Sequence, residues 1–449
     1  MEYSFYYKGG NIFMKFFGFK GGVHPPENKI QTENAAIEVL AAPKMVFIPL
    51  LQHIGVPLVP SVEIGEKVLK GQIIADSEAF LSVPVHASVS GTVKKIENLP
   101  FPLMGNVQTI VIENDEQDEW THLEKNPEWK NMGKDELLKI IRTKGIVGLG
   151  GAAFPTHIKL NPPADVKINH LLLNGAECEP YLNSDNRVMI EESLKVIEGI
   201  KIMKHILNVD SAIIGIEDNK PEAIEAMKKA AVGTGIEVMP LKTMYPQGGE
   251  KSLIKATLNI EVPSGKLPSA VGVVVNNTTT AAAIYDAIVN GLPLIDKVVT
   301  VTGKAIKHPK NVRAVIGTPI SLILENCGYD ESEVEKIVMG GPMMGMAQLT
   351  LEVPVIKGTS GLLALTKKET NYCKPKACIG CGKCVDACPM SLEPIMYARL
   401  AEFSQWEELA KYHLMDCIEC GSCAYICPAN RPLTEAIKIG KAKLRSMKK

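Results

Sequence analysis

Eight of the eleven cysteines fall into two copies of one spacing, CIGCGKCVDACP from Cys378 and CIECGSCAYICP from Cys417. Both copies read C-x2-C-x2-C-x3-C-P, and no other feature restricts the fold as strongly. Three cysteines spaced two apart let one tight loop wrap three irons of a [4Fe–4S] cube, and a remote cysteine closes the fourth. Pro389 and Pro428 turn the chain away after each fourth cysteine. Gly380, Gly382 and Gly421 leave room for backbone amides near the sulfides. Structural zinc also takes four ligands, but zinc ribbons use C-x2-C pairs rather than this run.

In two-cluster ferredoxins the fourth cysteine of each motif serves the other cluster. That rule assigns Cys378, Cys381, Cys384 and Cys427 to one cluster and Cys417, Cys420, Cys423 and Cys388 to the other. The link between motifs places Ile395, Leu400, Phe403, Trp406 and Leu409 at helical spacing, so the module is expected to be mainly helical. Each site being full, Cys373 reads as a bystander, and Cys327 as a small buried residue. Two one-electron carriers in tandem form a wire, which needs a donor and an acceptor.

At 449 residues the chain exceeds one core and implies roughly three or four domains. A formal charge of −1 gives no reason to expect nucleic acid as a partner. The apolar stretch Ile337–Leu351 is too short to span a bilayer and is broken by Gly341 and Pro342. With no secretory signal pattern at the N-terminus, a cytoplasmic location with peripheral membrane contact is expected. Lys8-Gly9-Gly10 can be encoded by a ribosome-binding-site-like sequence, so translation is expected to begin at Met14 or, equally, to include a tail over residues 1–13. Clustered cysteines in a reducing compartment favour metal ligation over disulfides. His24, His157 and His308 have no partner at metal spacing and read as surface or turn histidines.

The middle of the chain carries glycine-rich turns at strand ends. KGIVGLGGAAFPTHIKL (Lys144–Leu160) matches neither G-x-G-x-x-G nor the P-loop, yet its glycines let backbone approach a bulky anion. HLLLNGAECEPYLNSDNRVM (His170–Met189), MYPQGGEKSLI (Met244–Ile254) and VGVVVNNTTTAAAIYDAI (Val271–Ile288) repeat a strand–turn or turn–helix step. Strand tips ending in Gly, Asn and Glu suit a ligand crevice in an open α/β sheet.

These four segments resemble the flavin-binding subunit of respiratory complex I. With FFGFKGGVHPPENK near the start and both cysteine motifs, the chain from Met14 resembles the RnfC family of the Rnf complexes, membrane ferredoxin:NAD⁺ oxidoreductases coupled to Na⁺ or H⁺ transport. The resemblance implies FMN, NAD(H) and two [4Fe–4S] clusters as cofactors. It implies the iron–sulfur B subunit and the membrane subunits of the Rnf complex as partners, and a peripheral position on the cytoplasmic side. Gly148, Gly150, Gly151 and Lys159 correspond to the FMN phosphate cradle, and Asn174, Asn276, Asn277 and Thr280 to further FMN contacts. Phe154 resembles the aromatic that stacks on the nicotinamide nucleotide, and Glu177, Glu179, Tyr245 and Glu250 resemble residues around NADH. Leu149, Ala176 and Gly249 stand where complex I has arginine, aspartate and glutamate.

The expected fold is α/β multidomain: a barrel-sandwich hybrid over residues 14–116, a Rossmann-like FMN/NADH domain over 117–295, a β-grasp (SLBB-like) unit over 296–366 and a helical two-cluster ferredoxin over 367–449. Ser77–Val89, at the hairpin tip of the sandwich, has no lysine, so the module is not a biotinyl or lipoyl carrier. Gly340-Gly341-Pro342 resembles a family turn facing the flavin domain. NADH moves two electrons as hydride and clusters move one, so FMN belongs between them, and no acid–base pair is required. A cobalamin (corrin) reductase of similar parts, and a flavin-free iron–sulfur scaffold, are the rival readings.

Overall fold

The computed structural model describes residues 2–3, 16–103, 105–370 and 373–447; the start expected at Met14 lies outside them. Strands Met45–Pro49, Asn106–Asn114, Gly91–Pro100 and Lys67–Val68 form one antiparallel sheet, and Val59–Pro60, Ile73–Asp76 and Val85–His86 a second. Val46, Ile48 and Ile110 of the first share a core with Ile74 and Val85 of the second, which makes a sandwich.

The next module is a four-stranded parallel sheet in the order Ile236–Leu241, Ser211–Glu217, His170–Asn174, Val273–Asn277. The central residues of its strands are mostly apolar because both faces are covered. Leu171 and Leu173 pack with Ile197, Ile200 and Ile284 on one face, whereas Leu172 meets Leu253 and Ile254 on the other. The chain leaves His170–Asn174 toward one edge and returns on its other side as Val273–Asn277. The switch point, where an open α/β sheet offers its crevice, therefore lies between these two strands.

A six-stranded mixed sheet follows, in the order Met346–Ala347, Val334–Met339, Gly361–Thr366, Asp296–Thr302, Lys310–Val315 and Ile37–Val39. Its last strand comes from the N-terminal segment, so that segment does not stay within the sandwich. It runs across the molecule instead. Gly22 donates to the Ala387 carbonyl at 2.9 Å, and Val23 and Tyr245 exchange two backbone hydrogen bonds at 2.8 and 2.9 Å.

Beyond residue 373 the described residues form helices only: Lys383–Asp386, Pro394–Glu402, Trp406–Lys411, Ser422–Tyr425 and Leu433–Met447, besides one 3-10 turn. Tyr397, Leu400, Leu409, Leu414, Leu433 and Ile437 make their core. Phe403, expected in that periodic set, is exposed, because the helix stops at Glu402 and Ser404 turns the chain with φ +55°. No helix of the described residues is long and apolar enough to cross a membrane.

Candidate functional site

Neighbouring strand tips put Asn174 and Asn277 in register across the switch point. Asn277 caps the helix Thr278–Val289, its Oδ1 accepting the Thr280 N–H at 3.1 Å. The N-terminal amides and partial positive charge of that helix point into the crevice, a setting suited to an anion. Asp185 orients the cap, accepting from Asn277 Nδ2 and Thr279 Oγ1 at 2.6 Å each. Nothing in the sequence singled Asp185 out, since it only acquires this role when its helix packs beside the crevice.

The glycine loop closes over the same point. Val147 bridges Pro155, and Gly148 N–H donates to the Phe154 carbonyl at 2.9 Å, so residues 148–154 form a tied loop. Leu149 N–H donates to Thr280 Oγ1 at 2.9 Å, and the Leu149 carbonyl accepts Lys297 Nζ at 3.3 Å. A Cβ on Gly150 would stand 3.2 Å from Asn277 Cβ, so Asn277 would have to give way by a few tenths of an ångström. Gly151, with φ +132°, faces open space. Lys159 closes one side through an ion pair with Glu250 at 2.7 Å, and Asn174 Nδ2 donates to the Gly248 carbonyl at 2.8 Å. Gly148, Gly150, Lys159, Asn174, Asn277, Thr280 and Glu250 are thus drawn together, with Phe154 half-buried on the loop. Buried Asn276 Nδ2, Thr278 Oγ1 and Gln247 Nε2 have no hydrogen-bond partner within the protein. Buried polar atoms left unpaired are costly, so these donors fit a bound polar group such as FMN.

Three expected nucleotide contacts are held by structure around the crevice. Glu177 adopts φ +44° and its carboxylate accepts the Asp185 and Asn186 N–H groups at 2.7 and 3.0 Å, capping the helix Ser184–Glu191. Beneath it, the buried Lys29 ammonium donates to the carbonyls of Glu177 and Glu179 at 3.0 Å each and to that of Leu182. Burial lowers its pKa to about 8. Glu179 accepts Met343 and Met344 N–H at 3.0 and 2.9 Å, and burial lifts its carboxyl to about 7. The Gly340-Gly341-Pro342 turn consequently lies against the flavin-type module, and any Cβ on Gly341 would overlap the Glu179 carboxylate. Tyr245 is buried, with its hydroxyl donating to the Cys420 carbonyl at 2.7 Å.

Cys388 from the first motif joins Cys417, Cys420 and Cys423 of the second around one small cavity. The first motif reaches the end of the second, Lys376 N–H donating to the Ala429 carbonyl at 2.9 Å, and Cys427 lies in the neighbourhood of Cys384. The fourth cysteine of each motif therefore sits with the other motif's group. Among the described residues no three His, Cys, Asp or Glu side chains converge as on a single ion. Four thiols spread around a cavity suit a cluster several ångströms across. The buried Lys441 ammonium contacts this loop, donating to the Cys417 carbonyl and to Glu419 Oε1 at 2.7 Å.

Of the departures from complex I, Gly249 has a structural reason: a Cβ there would meet Pro246 O at 3.1 Å and Ile418 of the second cysteine loop at 3.4 Å. The tight approach is to the Pro246 carbonyl, and Ile418 of the ferredoxin module packs beside this position at ordinary contact distance.

Four domain families match in chain order: the RnfC barrel-sandwich hybrid domain over residues 17–117, the Nuo51 FMN-binding domain over 141–286, the SLBB domain over 298–347 and the 4Fe-4S dicluster domain over 377–431. Among whole-chain relatives, the C subunit of the proton-translocating ferredoxin:NAD(+) oxidoreductase complex of Clostridium ljungdahlii is 50% identical over 95% of this chain and 94% of its own length. The C subunit of the Na(+)-translocating complex of Acetobacterium woodii is 44% identical over 95% of this chain and 97% of its own. Its counterpart in the ion-translocating oxidoreductase complex of Rhodobacter capsulatus is 42% identical over 96% and 84%. A sheet switch point built for an anion, two interlocked cysteine loops and this full-length likeness agree, and the chain belongs to the RnfC family of the ion-translocating oxidoreductase complexes.

Proposed function

We propose that this chain is the NAD(H)-facing subunit of a membrane-associated ferredoxin:NAD⁺ oxidoreductase coupled to Na⁺ or H⁺ transport. It exchanges electrons between NAD(H), FMN and two [4Fe–4S] clusters, and passes them to or from a partner redox subunit on the cytoplasmic side. The observation that carries this reading is the packing of the second cysteine loop on the crevice module: Tyr245 binds the Cys420 carbonyl while Ile418 lies against Gly249. The flavin site and the buried cluster thereby share a wall.

FMN, when bound, supplies the exchange between a hydride pair and single electrons. Gly148, Gly150 and Gly151 admit its phosphate to the loop amides, and Lys159 offers the ammonium that neutralises it. Asn174, Asn276, Asn277 and Thr280 orient the group by hydrogen bonding. Phe154 and Glu250 stand on the open side for the nicotinamide nucleotide. Glu177, Glu179 and Tyr245 act on that side by fixing the loop and the cluster seam. Cys417, Cys420, Cys423 and Cys388 hold the buried cluster, and Cys378, Cys381, Cys384 and Cys427 the other. The iron–sulfur B subunit and the membrane subunits of the Rnf complex are the partners this reading names.

The test is anaerobic. Protein reconstituted with iron, sulfide and FMN is mixed with NADH and followed by stopped-flow absorbance. Rapid flavin bleaching is expected; FMN that binds yet stays oxidised ends the claim.

A further inference from the structure

The two cysteine loops occupy opposite surroundings. Cys420 and Cys423 of the second are 7% and 8% exposed, and Gly421 faces the Met343 carbonyl. In the first, Cys378 and Cys381 are exposed, Ile379 is 71% exposed, and no neighbouring atom lies within 4 Å of where a Cβ on Gly380 or Gly382 would stand. One loop is enclosed between the crevice module, through Tyr245 and Gly249, and the β-grasp unit, through Met343; the other lies bare at the surface.

The bare loop is also charged in one sense. Residues 373–386 carry Lys374, Lys376 and Lys383 against the single carboxylate Asp386, in a chain whose formal net charge as a whole is −1. All three lysines are exposed, and none makes an ion pair among the described residues. Ile379 and Val385 supply apolar contact between them. A small apolar centre with a like-charged rim is the layout of a short-lived, electrostatically steered encounter.

We propose that the loop Cys378–Cys384 is the electron port of the chain and docks an acidic iron–sulfur protein over Lys374, Lys376 and Lys383. This rests on the relay proposed above. The buried loop faces the flavin and the bare one faces the partner, which gives the wire its polarity. One electron crosses per encounter; one of the two facing clusters, the partner's or the exposed one, is oxidised as the other is reduced, and no bond or proton moves. A partner carrying one electron at a time matches that exchange, and opposite charge on its face concentrates it at the loop.

A small acidic two-cluster ferredoxin serves as the probe. Its Kd for the cluster-loaded protein is measured by biolayer interferometry at low and high salt, for wild type, Lys374→Glu/Lys376→Glu and Lys228→Glu/Lys229→Glu. The last pair makes the same charge change on exposed lysines of the helix Pro221–Ala230. Wild-type binding is expected to weaken with salt, the first variant to lose about tenfold in Kd at low salt, and the second to match wild type. The port is overturned by absent or salt-insensitive wild-type binding, by a first variant that binds like wild type, or by equal loss in both variants. If the first variant loads clusters poorly, the wild-type salt series still decides. Because binding needs no nucleotide, failure of NADH to bleach the flavin would end the relay reading while leaving the docking result to stand or fall by itself.

Discussion

At the scale of single residues, the site depends on buried charge held by backbone. Glu179 is the clearest case. Its ordinary pKa of 4.5 is raised to about 7 by burial, partly offset by the two amides it accepts. Between those values the folded protein holds a proton that the unfolded chain has lost, so this group's contribution to stability falls as pH rises from about 4.5 to 7. The amount is on the order of 3 kcal/mol. Glu179→Gln should flatten the pH dependence of the thermal midpoint across that window while costing a hydrogen bond at every pH. An unchanged slope would mean that the carboxylate titrates normally. Cys388→Ser tests the exchange of fourth ligands: iron should fall from about eight to about four per chain, with the buried cluster's signal lost. Equal loss from both clusters would contradict the crossed assignment.

Among elements, the contact between helices Ser193–Leu207 and Thr278–Val289 matters most, because the second of these caps the crevice with Asn277 and Thr280. They meet at Gly199, where any Cβ would overlap the Ala281 carbonyl oxygen. Gly199→Ala gains about 1 kcal/mol of helix propensity but must spread the pair, for a net loss of about 2 kcal/mol. A lower thermal midpoint together with weaker FMN retention is expected. A midpoint shift with full FMN retention would show that the helix keeps its aim. Two of the four parallel strands, His170–Asn174 and Val273–Asn277, were legible as apolar runs closed by Asn. Ser211–Glu217 and Ile236–Leu241 end in Glu and Leu with no such marker and were not read. The end of the helix at Glu402, which exposes Phe403, was not, because a turn such as Ser404 leaves no mark on hydrophobic periodicity.

Across the whole molecule, the modules are tied by groups far apart in sequence. The buried Lys357 ammonium joins the Pro84 carbonyl of the sandwich at 2.9 Å to the Gly145 carbonyl at 2.7 Å, and burial lowers its pKa to about 7. Since the unfolded chain keeps that proton up to its ordinary 10.5, this lysine's contribution makes stability rise from about pH 7 upward. Lys357→Met should remove that rise in a denaturation series and leave both carbonyls unpaired, at a cost of about 2 kcal/mol. By itself the sequence determined the chemistry. Two cysteine spacings dictate iron–sulfur cubes because ligand spacing within one loop is a local property, whereas the glycines and asparagines at strand ends only suited a ligand crevice and took their flavin reading from the family resemblance. Tertiary structure alone decided how those sites are joined: Asp185 behind the helix cap, Lys29 under the loop, Tyr245 against the buried cysteine loop, and one cysteine loop enclosed while its twin stays bare. Each of these depends on residues that meet only when modules dock, and short-range pattern carries no record of which surfaces will be covered.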